Sequence, residues 1–294
     1  MFVVHVGLHK TATTSLQKDI YPNIDEYDFI GRGFSNLKDQ EELYLKIADF
    51  CFSSEEVDYS YELEIKNLIV ERLRGSNLLL SEEWLTADYS EFFGFEGAIW
   101  QKKLDRLSRL LRGIDHKIIV SLRDPVDGIF SQYCEFLTVG VDNYYTSFLD
   151  YALNSNDAKV YQYCNFNDFI RERFCSVSYF TFEDIKSDPD LIRLREVLGV
   201  SKLSELGHHN KKNKLAGTVQ IEKQRESIKF LLGMIPRSLK DVLKRVQPFV
   251  SLRDAILSYF SDRKNIPYPN DEVRQQLEAK FKASYVFLNE LSGT

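Results

Sequence analysis

The chain has 294 residues, 38 Lys and Arg against 44 Asp and Glu, and a formal net charge of −6; the length suits one large core or two small ones, and the acidic balance argues against nucleic-acid affinity. Its four cysteines (Cys51, Cys134, Cys164, Cys175) form no C-x-x-C pair and have no His at ligand spacing, so they read as buried reduced thiols rather than a metal site. No run approaches a membrane span, and the N-terminal apolar run lacks a basic flank and a cleavage site, so a cytoplasmic protein is expected.

Phe2-Val3-Val4-His5-Val6 is an apolar, β-branched run that stops at Gly7 and predicts a strand. Small and hydroxylated residues surround Lys10, and Ser15–Ile20 reads as helix until Pro22. Tyr27–Ile30 is a short strand ending at Gly31, and residues 39–73 read as mostly helical. Asn77–Ser81 has the unbroken apolar character of an interior parallel strand and opens onto Glu82-Glu83. Helix is expected over Ala98–Arg112, with Leu104, Leu107 and Leu111 on one face and Gly113 as its stop. Lys117–Leu122 is the strongest strand pattern and leads into Arg123-Asp124-Pro125 and a helical Gly128–Leu137.

Tyr145–Leu153 and Val160–Arg171 read as helices, Cys175–Phe180 as a strand, and Asp188–Leu198 as a helix closed by Gly199. Further on, Val219–Leu232, Ser238–Val246 and Leu252–Tyr259 read as amphipathic helices, and Val273–Leu291 as a closing helix. Residues 216–265 hold ten Lys/Arg against five Asp/Glu, a local balance of +5 that leaves −11 on the remainder. This basic, helical subregion is either a solvated face or a surface for an anionic acceptor or a membrane. Strands alternating with helices at these separations predict an α/β fold, a central parallel sheet flanked by helices, within a single domain over 1–294. Ligands of such sheets sit at the carboxyl ends of the strands. Three polar clusters, residues 7–15, 81–83 and 123–131, all begin where a predicted strand ends.

Strand, short loop and helix at 2–20 is an arrangement that aims backbone N–H groups at an anion. The register differs from an ATPase loop. In G-x-x-x-x-G-K-[ST] counted from Gly7, positions 12 and 13 should be Gly and Lys, and here they are Ala12 and Thr13, with the lysine moved forward to Lys10. A lysine in mid-loop does not reach the β/γ-phosphates beside a metal.

Lys10-Thr11-Ala12-Thr13-Thr14-Ser15 resembles the K-T-G-T-T-S loop of P-loop-like sulfotransferases that use 3′-phosphoadenosine 5′-phosphosulfate (PAPS). Arg123-Asp124-Pro125 with Ser131 eight residues after the arginine resembles that family's second signature, and Phe182–Pro189 resembles its [FY]-E-D-L-x-x-D-P segment. The resemblance spans essentially the whole chain. It implies a three-layer P-loop-like fold and transfer of a sulfuryl group from PAPS to a hydroxyl or amine, releasing adenosine 3′,5′-bisphosphate without a metal. It implies that Lys10, Thr11, Ala12, Thr13, Thr14 and Ser15 hold the 5′-phosphosulfate and that Arg123 and Ser131 hold the 3′-phosphate. The basic tract His208–Lys214 resembles the family's loop over the nucleotide, which would put Lys211 and Lys212 near the 3′-phosphate; a solvated basic loop is an equal alternative.

Ala12 stands where the family more often has glycine, so it is strained if that backbone needs a positive φ. For the general base that such a transfer requires, the candidates are Glu82, then His9, then Glu83. Glu82 and Glu83 would serve equally as acidic caps of the next segment. The acceptor, whether saccharide, lipid or small molecule, is left open. The alternatives are a small-molecule kinase, or a nucleotide binder without a catalytic base.

Overall fold

Strand β1 (Phe2–Gly7) is buried along its whole length, as expected for an apolar run at the centre of a parallel sheet. The computed structural model describes residues 1–31, 41–88, 99–138, 140–206, 214–215, 218–224 and 261–292. After β1 the chain makes a short helix α1 (Thr13–Ser15), a π-helical turn (Leu16–Ile20) and a 3-10 turn (Tyr21–Asn23). Strand β2 (Tyr27–Gly31), helices α2 (Glu42–Phe52) and α3 (Tyr59–Leu73) and strand β3 (Asn77–Ser81) follow. A 3-10 turn (Glu83–Thr86), helix α4 (Trp100–Leu111), strand β4 (His116–Leu122) and helix α5 (Pro125–Phe136) lead to α6 (Phe148–Asn154), α7 (Asn156–Lys159) and α8 (Tyr163–Arg173). Strand β5 (Val177–Thr181) and helices α9 (Phe182–Ser187) and α10 (Ile192–Leu198) complete this part.

The five strands form one parallel sheet in the order β2-β3-β1-β4-β5, with helices on both faces. This is the three-layer, P-loop-like α/β arrangement expected from the strand and helix alternation. The side-chain period of two divides the core. Phe2, Val4 and Val6 face one apolar cluster with α2, α3 and α4, while Val3 faces a second with Leu16, Ile20, Tyr21 and Phe180.

Several boundaries differ from the sequence expectations. The helical stretch at 39–73 is two helices, because Asp58 ends the connection by accepting from Ser60 N at 3.0 Å as the cap of α3. Helix α8 begins at Tyr163, not Val160. Helix is expected over Asp188–Leu198, but α9 already starts at Phe182. There Thr181 and Asp184 form a reciprocal capping box, and α10 starts only at Ile192. The closing helix is two, α11 (Asp271–Lys280) and α12 (Lys282–Ser292), parted at Phe281.

The larger correction concerns Val219–Leu232. Thr218–Gln224 is strand β7, in an antiparallel sheet of order β6-β7-β8 with Lys214–Leu215 (β6) and Ser261–Pro267 (β8). Val219 and Ile221 are buried and alternate with the less buried Thr218 and Gln220, a period of two that suits a strand. The predicted helices Ser238–Val246 and Leu252–Tyr259 lie outside the described residues.

Gly128 in α5 lies against Tyr161: a Cβ there would stand 2.5 Å from the ring's Cε1. Gly128→Ala is therefore expected to destabilise the fold by about 1–3 kcal/mol through overpacking. Urea unfolding checks this, and an unchanged midpoint would show that the ring moves aside freely.

Candidate functional site

The sheet register brings the three polar clusters together. Gly7 pairs with Ser121 and His5 with Ser81, so β1, β3 and β4 release their turns side by side. The loop after β1 bends through two left-handed residues, Lys10 at φ 68° and Ala12 at φ 64°, with Thr11 between them at negative φ. Such alternation converges successive N–H groups into an anion-binding concavity. Ala12 thus occupies the conformation that favours glycine. Gly7 is needed for a different reason. A Cβ there would stand 2.7 Å from Thr13 Oγ1 and 3.1 Å from Ser121 Oγ, so the loop closes on the strand only over a bare backbone.

Arg123, at the tip of β4, donates from Nη1 to the carbonyl oxygen of Lys10 at 2.9 Å. Its guanidinium lies 4.5 Å from the Phe182 ring centroid, a cation–π contact. Arg123 Nε is buried and makes no hydrogen bond among the described residues. Lys10 Nζ forms an ion pair with the half-exposed Glu135 of α5. Ser131 lies one turn before Glu135 on the same helix, half-buried. Asp124 caps α5 by accepting from Asp127 N at 2.9 Å, and Pro125 fills its first turn.

Thr11 and Thr13 are buried at the base of the loop, Ser15 starts the next turn buried, and Thr14 is half-buried. Glu82 is only 3 % exposed. Its Oε1 accepts from Trp84 N at 2.9 Å and its Oε2 from the Tyr44 hydroxyl. Thus Glu82 caps the 3-10 turn that follows β3. His9 Nδ1 lies 4.0 Å from Glu83 Oε2, His9 buried and Glu83 partly exposed. Lys211 and Lys212 lie outside the described residues.

Several supporting residues escape the sequence reading. Tyr161 donates to the His9 carbonyl at 3.0 Å, and Tyr163 to the Arg123 carbonyl at 2.5 Å, so two adjacent tyrosines hold the two turns. Burial pushes both phenols well up from their ordinary value, which keeps them neutral donors. Lys103, buried beneath the 83–87 segment, donates to the carbonyls of Trp84 (3.0 Å) and Ala87 (2.6 Å). The signal for it was a lysine at helical spacing with Trp100 and Leu107 on the apolar face of α4. His5 lies in the sheet interior, between Ser81 Oγ (2.8 Å) and Ser121 Oγ (3.0 Å). Its signal was one polar residue interrupting a buried strand. Desolvation lowers the His5 pKa to about 3.

No protein-family model matches the chain. A search of the curated proteins finds no match either. Among solved structures, a sulfotransferase from Alicyclobacillus acidocaldarius is similar over 87% of this chain and 94% of its own, with 15% identity and a TM-score of 0.44. No helix among the described residues is long and apolar enough to cross a membrane.

Two outcomes follow from this geometry. Ala12→Gly is expected to raise stability by up to about 1 kcal/mol, because relief of a left-handed alanine exceeds the added freedom of the unfolded chain; denaturant melts measure it. A loss of stability instead would mean that glycine's freedom in the unfolded chain outweighs that relief. His5 binds a proton in the unfolded chain below pH 6.5 but in the folded chain only near 3. Stability linked to it is therefore present above 6.5 and falls as the pH is lowered through that window. The expected contribution is up to about 1.4 kcal/mol per pH unit. Unfolding free energies of wild type and His5→Phe, compared between about pH 6 and 4, should diverge accordingly, with wild type the steeper.

Proposed function

We propose that this protein is a PAPS-dependent sulfotransferase acting on a hydroxyl or amine of a saccharide, lipid or small-molecule acceptor. The observation that carries the reading is the Arg123–Lys10 hydrogen bond. It puts two cation-bearing turns, each resembling one end of a nucleotide-binding signature, within reach of a single ligand.

The residues suit a ligand with two separated anionic groups. Arg123 Nε is a buried donor with no hydrogen bond among the described residues, and Lys10 is balanced by a carboxylate that solvent already reaches. In this reading Lys10, Thr11, Ala12, Thr13, Thr14 and Ser15 hold the 5′-phosphosulfate, and Arg123 and Ser131 hold the 3′-phosphate. Lys211 and Lys212 would add charge over it. When bound, PAPS supplies the sulfuryl group and leaves as adenosine 3′,5′-bisphosphate.

Lys10 then neutralises charge where the leaving oxygen develops it, while the loop amides orient the transferring group; positioning and electrostatics are the main contributions available to a protein here. The base would come from Glu82, His9 or Glu83. Glu82 would first have to give up the Tyr44 hydroxyl and the Trp84 amide. His9 and Glu83 face each other at 4.0 Å across the two turns, His9 buried and Glu83 partly exposed.

Thermal shift decides between this reading and a kinase. Adenosine 3′,5′-bisphosphate at 100 times its Kd should stabilise the protein by about 2.7 kcal/mol, roughly 4 °C in Tm, and Mg-ATP should not. Arg123→Ala should weaken bisphosphate binding about 10- to 100-fold through loss of charge-assisted hydrogen bonds. Stabilisation by Mg-ATP alone would overturn the assignment. Binding of labelled PAPS without transfer to any acceptor, unchanged in Glu82→Gln, His9→Gln and Glu83→Gln, would leave a non-catalytic binder.

A further inference from the structure

Beneath the loop runs an unbroken line of buried polar side chains. It begins at the Leu8 carbonyl, passes Thr11 Oγ1 (2.6 Å), Ser121 Oγ (2.6 Å) and His5 Nε2 (3.0 Å), leaves the ring at Nδ1 for Ser81 Oγ (2.8 Å), and ends on Gln17 Nε2 (3.1 Å). Gln17 also donates to the Ser81 carbonyl at 2.9 Å. His5, Thr11, Ser81, Gln17 and Ser121 are all buried, His5, Thr11, Ser81 and Ser121 at 0 % exposure. The imidazole is stacked on Phe180 (centroids 5.5 Å apart) and edge-on to Tyr21 (5.3 Å), so its plane is fixed.

Proton counting gives the line a direction. Thr11 has one hydroxyl proton and donates it to the Leu8 carbonyl, so in the 2.6 Å contact with Ser121 it accepts. Ser121 has then used its own proton, so its oxygen accepts from the ring, and His5 carries hydrogen on Nε2. A neutral imidazole with Nε2–H has a bare Nδ1, which accepts the Ser81 proton. The Ser81 oxygen in turn accepts from the Gln17 amide. The opposite tautomer would leave the 3.0 Å contact between Nε2 and Ser121 with no proton to share. An imidazolium would present a second donor to Ser81 and reverse that bond.

We propose that His5 is a positioning residue for the anion loop: as its Nε2–H tautomer it sets Thr11 through Ser121 and the start of the following helical turn through Ser81 and Gln17. The middle of the loop and the turn after it are thereby held from one rigid ring in the central strand. The role in ligand binding rests on the nucleotide reading of the loop; the tautomer and the loop's order do not.

Nitrogen-15 NMR of the His5 ring in the wild-type protein tests the first part. Protonated Nε2 and bare Nδ1 are expected at neutral pH, and the Nδ1–H form would overturn the proposal. Hydrogen exchange of residues 8–17, referenced to β4, tests the second. In His5→Phe and Ser121→Ala, loop exchange should quicken relative to β4, and His5→Gln, whose amide can donate toward Ser121, should restore protection. Equal change in loop and β4, or none in either, would mean that the ring only fills space.

In calorimetric titration with adenosine 3′,5′-bisphosphate, each of the first two variants should bind about 3- to 10-fold more weakly, the value of one neutral hydrogen bond. The double variant should be no worse than either, since both cut the same line. Additive losses would overturn the shared line. Wild type that shows the expected tautomer and loop protection but does not bind the bisphosphate would remove the nucleotide reading and leave the positioning role standing.

Discussion

The parallel register of β1 against its two neighbours is the constraint on which the site depends. With Gly7 opposite Ser121 and His5 opposite Ser81, the turns after three strands leave the sheet at adjacent points. A slip of one residue would exchange the faces of β1. His5 would then enter the apolar cluster that now holds Val4 and Val6, and Val6 would replace the bare backbone of Gly7 beneath the loop. The cost of moving His5 into the apolar cluster and of placing a side chain where Gly7 lies bare opposes that slip, so the core and the candidate site are specified by the same pairing.

Much of the sheet was legible because buried parallel strands are written as short apolar runs, and β1, β3 and β4 each end in a polar cluster. Helix α5 starts at Pro125, three residues before the expected Gly128, because proline suits the first helical position. Register and support were not legible, since they are non-local. Tyr161 reaches the His9 carbonyl across 152 positions and Tyr163 reaches Arg123 across 40. Thr218–Gln224 was misread because seven residues with Gln, Glu and Lys among them satisfy either period, and the strand that decides the matter, Ser261–Pro267, lies far along the chain. His5 looked like an ordinary interruption of a strand until the register placed a serine on each side of it. For Glu82 the sequence offered two roles, a base or an acidic cap, and the hydrogen bonds it accepts from Trp84 N and the Tyr44 hydroxyl are those of a cap.

The two cations differ in how they are balanced. Lys10 meets a carboxylate that water also reaches, an arrangement of small net energy. Arg123 donates to a carbonyl oxygen and lies against an aromatic face, with the carboxyl of Glu183 close enough to feel its charge.

The loop itself is strained, since Lys10 and Ala12 both sit where an L-residue loses about 1–2 kcal/mol. Within the loop this is offset by the Thr11 bond to the Leu8 carbonyl and by the Ala12 carbonyl, which accepts from Ser15 N (2.9 Å) and Leu16 N (3.1 Å). The remaining restraints come from outside: Ser121 from β4, Tyr161 before α8, Arg123 from the neighbouring turn, and the close approach that Gly7 permits. A loop held by its scaffold has its conformation set before any ligand arrives. In the proposed nucleotide reading, the ordering entropy that would oppose binding is already offset by folding, and the converged amides would need no reorganisation when an anion meets them. The unfavourable φ angles and the costly burial of an imidazole are therefore parts of one arrangement, in which stability given up locally keeps the amides aimed at a fixed point.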